Sequence, residues 1–258
     1  MQFTRDVWHL TGRAMRVNLR IPWALIPNFA ISLFFLLVYN GGLSGIAALP
    51  QFAGSHYIDF ILPVAVVSGA VGGAGGSGQA LVRDFETGYL TKMALSPVSR
   101  AALLLAPMIA GMIQLVAQTL VILLVSLTMG LRIPHGIGAF LAVLAFTAGW
   151  GLAFSGYAVA MALKSRNGQA AQAATFIFFP LLFLSDTFVP MSLIHAHWMR
   201  IAARINPTTY VFNAMRGLLE KSIPAAAVWH GVLAVGAAIA VTMVWAFASA
   251  KKSLAARL

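Results

Sequence analysis

Cysteine is absent from the 258-residue sequence, and charged side chains make up only 9% of it. Without cysteine the chain can form no disulfide framework, no zinc–thiolate site and no catalytic thiol. Globular proteins carry roughly 25% charged residues, and this chain has too few to cover a soluble surface. The composition therefore indicates an integral membrane protein.

Acidic residues number only six, and their scarcity excludes most catalytic sites. Neither a Ser-His-Asp arrangement nor a pair of catalytic carboxylates can be assembled, so we expect no enzymatic activity in this chain. His195 and His197 would point apart on a helix, with no carboxylate nearby to complete a metal site. No stretch has the GxxxxGK(S/T) form of an ATP-binding loop, and we expect this chain to bind no cofactor.

Glycines are frequent between residues 69 and 78, and three of them match the GxGxxG pattern of dinucleotide-binding folds. That pattern requires a strand before it and a helix after it, whereas these glycines lie within an apolar stretch. Small residues in such a stretch let membrane helices approach closely. The glycines for which we predict this role are Gly69, Gly72, Gly73 and Gly76.

Six apolar runs separate the charged residues of the chain. The sequence therefore predicts an all-α membrane protein with six transmembrane helices. The runs are residues 23–39, 60–82, 101–131, 137–163, 170–185 and 225–250. The fifth is short for a hydrocarbon core of about 30 Å, and we expect re-entrant helices behind it to complete the crossing.

Residues 1–22 form a separate amphipathic unit ahead of the six-span domain, residues 23–258. Its apolar residues recur at spacings of four and three, as on one face of a helix, and its arginines fall on the opposite face. A basic amphipathic helix beside a span lies naturally in the headgroup region; packing of the stripe against the protein is the alternative. The stripe comprises Phe3, Val7, Leu10, Ala14, Val17 and Ile21, and the opposite face Arg5, Arg13, Arg16 and Arg20.

The net charge of +11 is distributed in short clusters beside the apolar runs. This distribution is typical of membrane loops and not of a nucleic-acid-binding surface. With the amino terminus inside, the inner segments hold 12 Lys and Arg residues and the outer segments five. The positive-inside rule therefore predicts a multi-pass protein of the plasma or bacterial inner membrane with both termini in the cytoplasm.

The most informative polar stretch is residues 83–100, which we call the charged segment. It reads RDFETGYLTKMALSPVSR and lies between two apolar runs on the predicted cytoplasmic side. The order of its residues resembles the cytoplasmic segment of ABC-2 type transporter permeases, in particular the daunorubicin-resistance and nodulation-exporter branch. The residues that carry the resemblance are Asp84, Glu86, Gly88, Leu90, Lys92 and Pro97.

A second match lies in residues 186–224, which we call the outer segment. Ile194, Trp198 and Ile201 belong to an apolar stripe that predicts a short amphipathic helix, and Asn206 should end it because it precedes a proline. Another short helix is predicted over residues 208–219. The same branch typically carries a similar pattern before its last span, here in Asp186, Phe188, Pro190, Trp198, Asn206, Pro207, Arg216 and Gly217.

The resemblance implies a permease subunit of an ATP-binding-cassette exporter, with ATP and magnesium bound by a separate ATPase subunit. Two permease copies, identical or closely related, would form the pathway above two ATPase copies, surrounded by membrane lipid. The charged segment would be the coupling helix that contacts the ATPase. The coupling residues so implied are Arg83, Asp84, Phe85, Glu86, Gly88, Tyr89, Leu90 and Lys92, and the outer-segment residues are Trp198, Asn206, Pro207 and Arg216.

We expect such an exporter to move an amphipathic drug-like or lipid-like molecule outward. An aromatic run in the fifth apolar stretch offers flat apolar surface for this substrate, and ordinary packing is the alternative explanation. A polysaccharide or lipo-oligosaccharide export permease stays open, as does an ion-driven secondary transporter, which the lack of carboxylates within the spans disfavours. The pathway residues are Phe176, Phe179, Pro180 and Phe183.

Overall fold

The computed structural model describes residues 2–20, 26–43, 45, 57–94, 98–187, 191–220 and 223–255. Within these ranges the chain is helical with short connections and has no strand, which confirms the predicted all-α class. A π-helix (Phe35–Tyr39) joins α2 to α3, and 3₁₀ turns cover Thr175–Ile177 and Met191–Leu193. The α-helices are α1 (Gln2–Leu19), α2 (Ile26–Phe34), α3 (Asn40–Leu43), α4 (Tyr57–Ser68), α5 (Ala70–Glu86), α6 (Tyr89–Ala94), α7 (Arg100–Thr128), α8 (Gly136–Ser165), α9 (Gly168–Ala174), α10 (Phe178–Phe183), α11 (His197–Ile205), α12 (Pro207–Leu219) and α13 (Ala225–Ala255).

Each predicted span corresponds to a helical stretch, and the chain is an integral membrane protein. The stretches long and apolar enough to cross a membrane are Ile26–Leu43, Tyr57–Glu86, Arg100–Thr128, Gly136–Ser165 and Ala225–Lys251. The fifth predicted span is the shorter apolar run Gly168–Phe183. The orientation of these helices in the membrane stays a prediction.

The run Gly168–Phe183 is helical throughout but changes its winding. Asn167 caps its start, since its side-chain oxygen accepts a hydrogen bond from the Ala170 N–H at 3.0 Å. Pro180 has no N–H to donate to the carbonyl four residues earlier, at Phe176. The 3₁₀ turn Thr175–Ile177 lies at this position, so the proline explains why α9 and α10 are not one α-helix.

The helices of the second predicted span extend beyond its apolar run. The run covers residues 60–82, whereas α4 begins at Tyr57 and α5 continues to Glu86, within the tolerance of about two to four residues expected at each predicted end. The charges at residues 83 and 84 change the hydropathy but not the tendency to form helix, so they do not end α5. The domain boundary predicted between residues 22 and 23 lies outside the described residues.

Helix α1 packs across α7, and its buried residues are Val7 and Thr11. The Thr11 hydroxyl donates to the Ala106 carbonyl of α7 at 3.4 Å. The apolar stripe of α1 therefore faces the protein over much of its length, while Phe3 at its start is exposed. The position of α1 relative to the lipid headgroups stays a prediction.

Helix α8 lies at the centre of the bundle, where it contacts α5, α7 and α13. A large apolar cluster joins α8 to α4, α7 and α12 toward the outer segment. A smaller cluster joins α5, α7, α8, α9 and α13 toward the charged segment. The smaller cluster comprises Leu81, Val82, Leu104, Met108, Val159, Ala160, Ala162, Leu163, Ala171, Ala246 and Ala250.

Helix α5 approaches its neighbours through two glycines. A Cβ on Gly73 would lie 3.3 Å from the carbonyl oxygen of Gly111 in α7. A Cβ on Gly78 would lie 2.8 Å from the carbonyl oxygen of Ala158 in α8. The hydrophobic effect does not drive helices together within lipid, so close backbone packing of this kind stabilises their association.

The other glycines of this stretch divide between close contact and open space. Gly69 and Gly72 leave room for polar side chains of α7 and α2, as predicted. At Gly76, no atom of another described helix lies within 4 Å of the place a Cβ would take, so its predicted packing role stays a prediction. Gly75, which lies against Gln172, and Gly78 face the neighbouring helices instead.

Hydrogen bonds between side chains cross the interior of the bundle. Gln118 of α7 donates to the Ser32 hydroxyl of α2 at 2.7 Å, and Ser77 of α5 donates to the Ser155 hydroxyl of α8 at 3.2 Å. All four residues are buried. Polar side chains in these helices therefore join one helix to another, at roughly 0.6 to 2 kcal/mol for each bond.

We expect Gly78→Ala to destabilise the bundle, because the new methyl group would press on the backbone of α8. The cost should be about 1 to 3 kcal/mol, seen as a lower midpoint of thermal unfolding of the detergent-purified protein. Gly236→Ala in α13 is the matched control, since Gly236 has open space around it. Equal midpoints for the two variants would contradict the close contact of α5 with α8.

Candidate functional site

The charged segment begins with a helix end that closes in a tight turn. After Glu86, the Thr87 hydroxyl donates to the Arg83 carbonyl at 2.9 Å. Gly88 has a φ of +69°, a left-handed conformation that residues with a side chain rarely adopt. Its N–H donates to the Phe85 carbonyl at 3.1 Å, and α6 begins directly after it. Glycine at this position therefore ends α5 and starts the turn.

Arg13 of α1 holds this turn against the bundle. Its terminal nitrogens donate to the two carboxylate oxygens of Asp84 at 2.8 and 2.7 Å. Its guanidinium carbon lies 3.6 Å from the centre of the Tyr89 ring. The hydrogen bond and charge of Asp84 raise the pKa of Arg13 above its ordinary value, although burial opposes the rise. One side chain thus connects α1, α5 and α6.

The sequence does not reveal this role, because its periodicity assigns Arg13 to the polar face of α1 with the other arginines. Its position three residues after Leu10 and one before Ala14 puts it at the border of the apolar stripe. That border position was the available signal, and it does not identify the partner. Asp84 is 71 positions away in the sequence.

The remaining predicted coupling residues divide by exposure. Arg83, Glu86 and Lys92 are exposed, and Arg83 forms no side-chain hydrogen bond or ion pair with any described residue. Phe85 is half-buried against the smaller cluster. The side chain of Leu90 and residues 95–97, with Pro97, lie outside what the structure describes.

Asn206 joins the outer helices to the end of the α9–α10 run. As predicted, α11 ends directly before it. Its side-chain oxygen accepts from the Thr208 N–H at 3.0 Å and caps α12, where Pro207 takes the first position without losing a hydrogen bond. Its amide nitrogen donates to the carbonyls of Leu184, at 3.1 Å, and Leu181.

Arg216 of α12 occupies a buried polar site at the same end of the bundle. Its guanidinium lies 3.3 Å from an Asp186 carboxylate oxygen, and it donates to the carbonyls of Thr187 at 2.9 Å and Phe60 at 3.0 Å. Its guanidinium carbon lies 3.6 Å from the centre of the Phe60 ring. Only 8% of the Arg216 and 4% of the Asp186 side-chain surface is exposed. These contacts fasten the outer segment to α4.

Sequence reasoning named Arg216 and Asp186 in one pattern but did not pair them, and it missed Phe60. Burial raises the pKa of Asp186 from its ordinary value, and the charge of Arg216 opposes the rise. A buried ion of this kind is tolerated only when a partner and hydrogen bonds replace its water. The two residues therefore depend on each other.

Trp198 is not part of this arrangement. It is exposed on α11 together with Ile201 and Ile205, whereas Ile194 ahead of the helix is buried. The predicted stripe therefore leaves an open apolar face on α11. Among the described residues, no three acidic or histidine side chains gather as a metal site.

The aromatic run divides between packing and exposure. Phe178 is fully buried and meets the Phe154 ring edge-on, with ring centres 5.7 Å apart. Phe176 and Phe183 are exposed, and the half-buried Phe179 stacks on Phe176 with ring centres 5.8 Å apart. The run therefore anchors α10 on one face and leaves aromatic surface open on the other, where Pro180 is also exposed.

Comparison with known protein families matches residues 5–219 to the family described as ABC-2 type transporter. The chain is similar to a probable doxorubicin resistance ABC transporter permease protein, DrrC, of Mycobacterium tuberculosis strains CDC 1551 / Oshkosh and ATCC 25618 / H37Rv. Identity to each is 24% over 193 residues, which cover 75% of this chain and 69% of the relative. A putative transport permease, ycf38, of Cyanophora paradoxa is 23% identical over 229 residues, or 85% and 76% of the two chains.

We expect Arg216→Met to destabilise the protein by about 3 to 5 kcal/mol, because it leaves the buried Asp186 carboxylate without its partner. The measurement is the midpoint of thermal unfolding in detergent, or the yield of folded protein if the variant does not survive purification. Adding Asp186→Asn removes the unpaired charge and should recover part of the loss.

The control for this prediction is Arg200→Met, which removes an exposed cation of α11 and should leave the midpoint unchanged within about 0.5 kcal/mol. If the Arg216→Met and Arg200→Met variants unfold at the same midpoint, the buried pair does not fasten the outer segment.

Proposed function

The chain belongs to the ABC-2 type transporter family, and we propose that it is the permease subunit of an exporter. Permeases of this family are transmembrane subunits of ABC transporters and work with a separate ATPase. The proposed cargo is an amphipathic drug-like or lipid-like molecule that moves outward. The relatives named for doxorubicin resistance support a drug-like cargo.

We propose that the ATPase docks on the charged segment, in the cytoplasm. The observation that carries this proposal is the turn at Gly88, which exposes Glu86 before it and Lys92 after it. In a solvated loop, all the polar side chains would be exposed. Here Asp84 and Tyr89 instead contact Arg13 of α1. Charges fixed on either side of a rigid turn suit charge-assisted hydrogen bonds with a partner protein.

Helix α5 would transmit movement of the ATPase into the membrane. It is one helix of 17 residues, about 25 Å long at 1.5 Å per residue. Its glycine contacts with α7 and α8 leave little room for it to slide independently. Because α8 also contacts α13, displacement of the turn should move the central helices together.

The proposed cycle needs two permease copies and two ATPase subunits. ATP binding would bring the ATPases together and move both charged segments. The permease pair would then pass from states open to the cytoplasm to states open outward, as a population shift between conformations that bind the cargo differently. Magnesium and ATP would stay on the ATPase throughout.

The exposed aromatic face of residues 176–183 is proposed to contact the cargo. Stacked rings such as Phe176 and Phe179 bind flat apolar molecules through their faces. Amphipathic drugs have such surfaces, and the C–H faces of a sugar ring also stack on aromatic rings. The exposed rings therefore suit the proposed drug-like or lipid-like cargo without excluding polysaccharide, and the transport measurement below separates the two.

We expect Glu86→Arg to weaken association with the ATPase at least about tenfold, since it reverses an exposed charge at the proposed contact. Gly88→Pro should have a larger effect, because proline fixes φ near −65° where the turn has +69°. Co-purification of the two subunits from membranes measures the first effect, and ATP hydrolysis stimulated by the permease measures both.

Arg132→Glu is the control, a charge reversal at an exposed position between α7 and α8. It should leave association and hydrolysis unchanged. If Glu86→Arg and Gly88→Pro both retain wild-type association and stimulated hydrolysis, the charged segment is not the docking surface.

We expect Phe176→Ala and Phe179→Ala to change the preference among cargoes by about tenfold, the equivalent of one lost aromatic contact. The measurement is transport of labelled doxorubicin, phospholipid and oligosaccharide into inverted vesicles that contain the ATPase. Val244→Ala, at another exposed apolar position, is the control. Unchanged ratios in both phenylalanine variants would assign the run to packing.

A further inference from the structure

A cleft of about 130 Å³ lies between α1 and the helices it crosses. We call it the α1 cleft. One wall is aliphatic and comes from α1, with Leu10 and Val17, and from the start of α7, with Leu103 and Pro107. The end of α5 and the start of α6 complete the lining and include Arg83. Apolar and cationic side chains therefore line one small space.

The cations of the α1 cleft differ in how far they are neutralised. Arg13 is held by Asp84 through two hydrogen bonds. Arg83 lines the same cleft and has no hydrogen bond or ion pair with a described residue. The hydroxyl of Tyr89, also in the lining, has none either. The cleft thus carries one uncompensated guanidinium and one unused hydroxyl donor.

The surroundings add to the positive potential of the cleft. Helix α1 and the residue after it carry Arg5, Arg16 and Arg20 besides Arg13, against the single acidic residue Asp6. A basic field of this kind attracts anions to the cleft mouth. An arginine binds a phosphate group with paired, charge-assisted hydrogen bonds.

The aliphatic residues of the cleft favour a lipid as its occupant over the acidic surface of a partner protein. Leu103 and Pro107 lie in the first two turns of α7, a helix apolar enough to cross a membrane. The cleft therefore reaches to the level where a span begins, and α1 flanks it with an amphipathic surface. Glu86 and Lys92, which are exposed at the turn, are not in its lining. A phosphate with glycerol carbons behind it matches both the cationic and the aliphatic part of the lining.

We propose that the α1 cleft binds the phosphodiester headgroup of an anionic phospholipid. Arg83 and the Tyr89 hydroxyl donate to the phosphate oxygens, and the glycerol end of the lipid lies against the aliphatic wall. A bound lipid then joins α1 to α5 beside the Arg13–Asp84 contact. The assignment to the cytoplasmic leaflet rests on the proposed orientation, but the site itself does not.

The experiment measures thermal unfolding of the purified permease in an uncharged detergent without ATPase. The probes are dihexanoyl-phosphatidylglycerol, dihexanoyl-phosphatidylcholine and inorganic phosphate at matched ionic strength. We expect a saturable rise in the midpoint with phosphatidylglycerol, at least several-fold larger than with phosphatidylcholine, and none with phosphate alone. An equal rise with inorganic phosphate would overturn the lipid assignment and leave only an anion site.

Variants test whether the rise comes from this cleft. Arg83→Gln should weaken the apparent affinity for phosphatidylglycerol by about tenfold or more, and Ala14→Leu should do so by filling the cleft without a change of charge. Arg5→Gln, an exposed cation of α1 outside the lining, should retain the wild-type response. If the Arg83→Gln and Ala14→Leu variants, both folded, respond like wild type, the cleft does not hold the lipid.

The outcome is separable from that of the proposed coupling function, because no ATPase is present. Loss of the lipid response in Arg83→Gln and Ala14→Leu supports the cleft whether or not Glu86→Arg disturbs ATPase association. A retained lipid response in Arg83→Gln, together with weakened ATPase association, would overturn the lipid site and assign Arg83 to the partner protein.

Discussion

The close approach of α5 to α7 and α8 is the contact on which the other parts of the molecule depend. Moving an apolar side chain from contact with lipid to contact with other side chains changes its free energy little. Membrane helices therefore associate through close backbone packing and interhelical hydrogen bonds. Gly73 and Gly78 allow this close approach. Ser77 adds a hydrogen bond from α5 to Ser155 of α8. These residues fix α5 against α7 and α8, with the charged segment at its carboxyl end.

The two ends of the bundle use the same chemistry for different purposes. At each end an arginine meets a carboxylate and lies 3.6 Å from the centre of an aromatic ring, Arg13 over Tyr89 and Arg216 over Phe60. The outer pair is almost fully buried, whereas 34% of the Arg13 side chain remains exposed. Water and salt screen the exposed pair, and breaking it costs about 1 kcal/mol or less. Breaking the buried pair costs several times as much.

Hydropathy alone could predict the spans, because helices surrounded by lipid must be apolar over most of their length. The end of α11 at Asn206 was equally accessible, since the following proline restricts the backbone. The end of α5 could not be predicted in this way, because the charges at Arg83 and Asp84 do not stop a helix. The helix ends where the backbone takes a positive φ, at Gly88. The pairs were also beyond prediction: Arg216 and Phe60 are 156 positions apart, and sequence spacing carries no information about such contacts.

The difference between the two ends bears on how a permease of this kind could change conformation. The proposed transition between inward-open and outward-open states would need some contacts that break at low cost and others that persist. The buried Arg216 site would have to leave an unpaired charge in a dry environment if it opened, so α4 and α12 should move as one body with the outer segment. The half-exposed Arg13 contact can exchange its carboxylate for water. Movement should therefore begin where α1 meets α5, and the outer end should follow as a rigid unit.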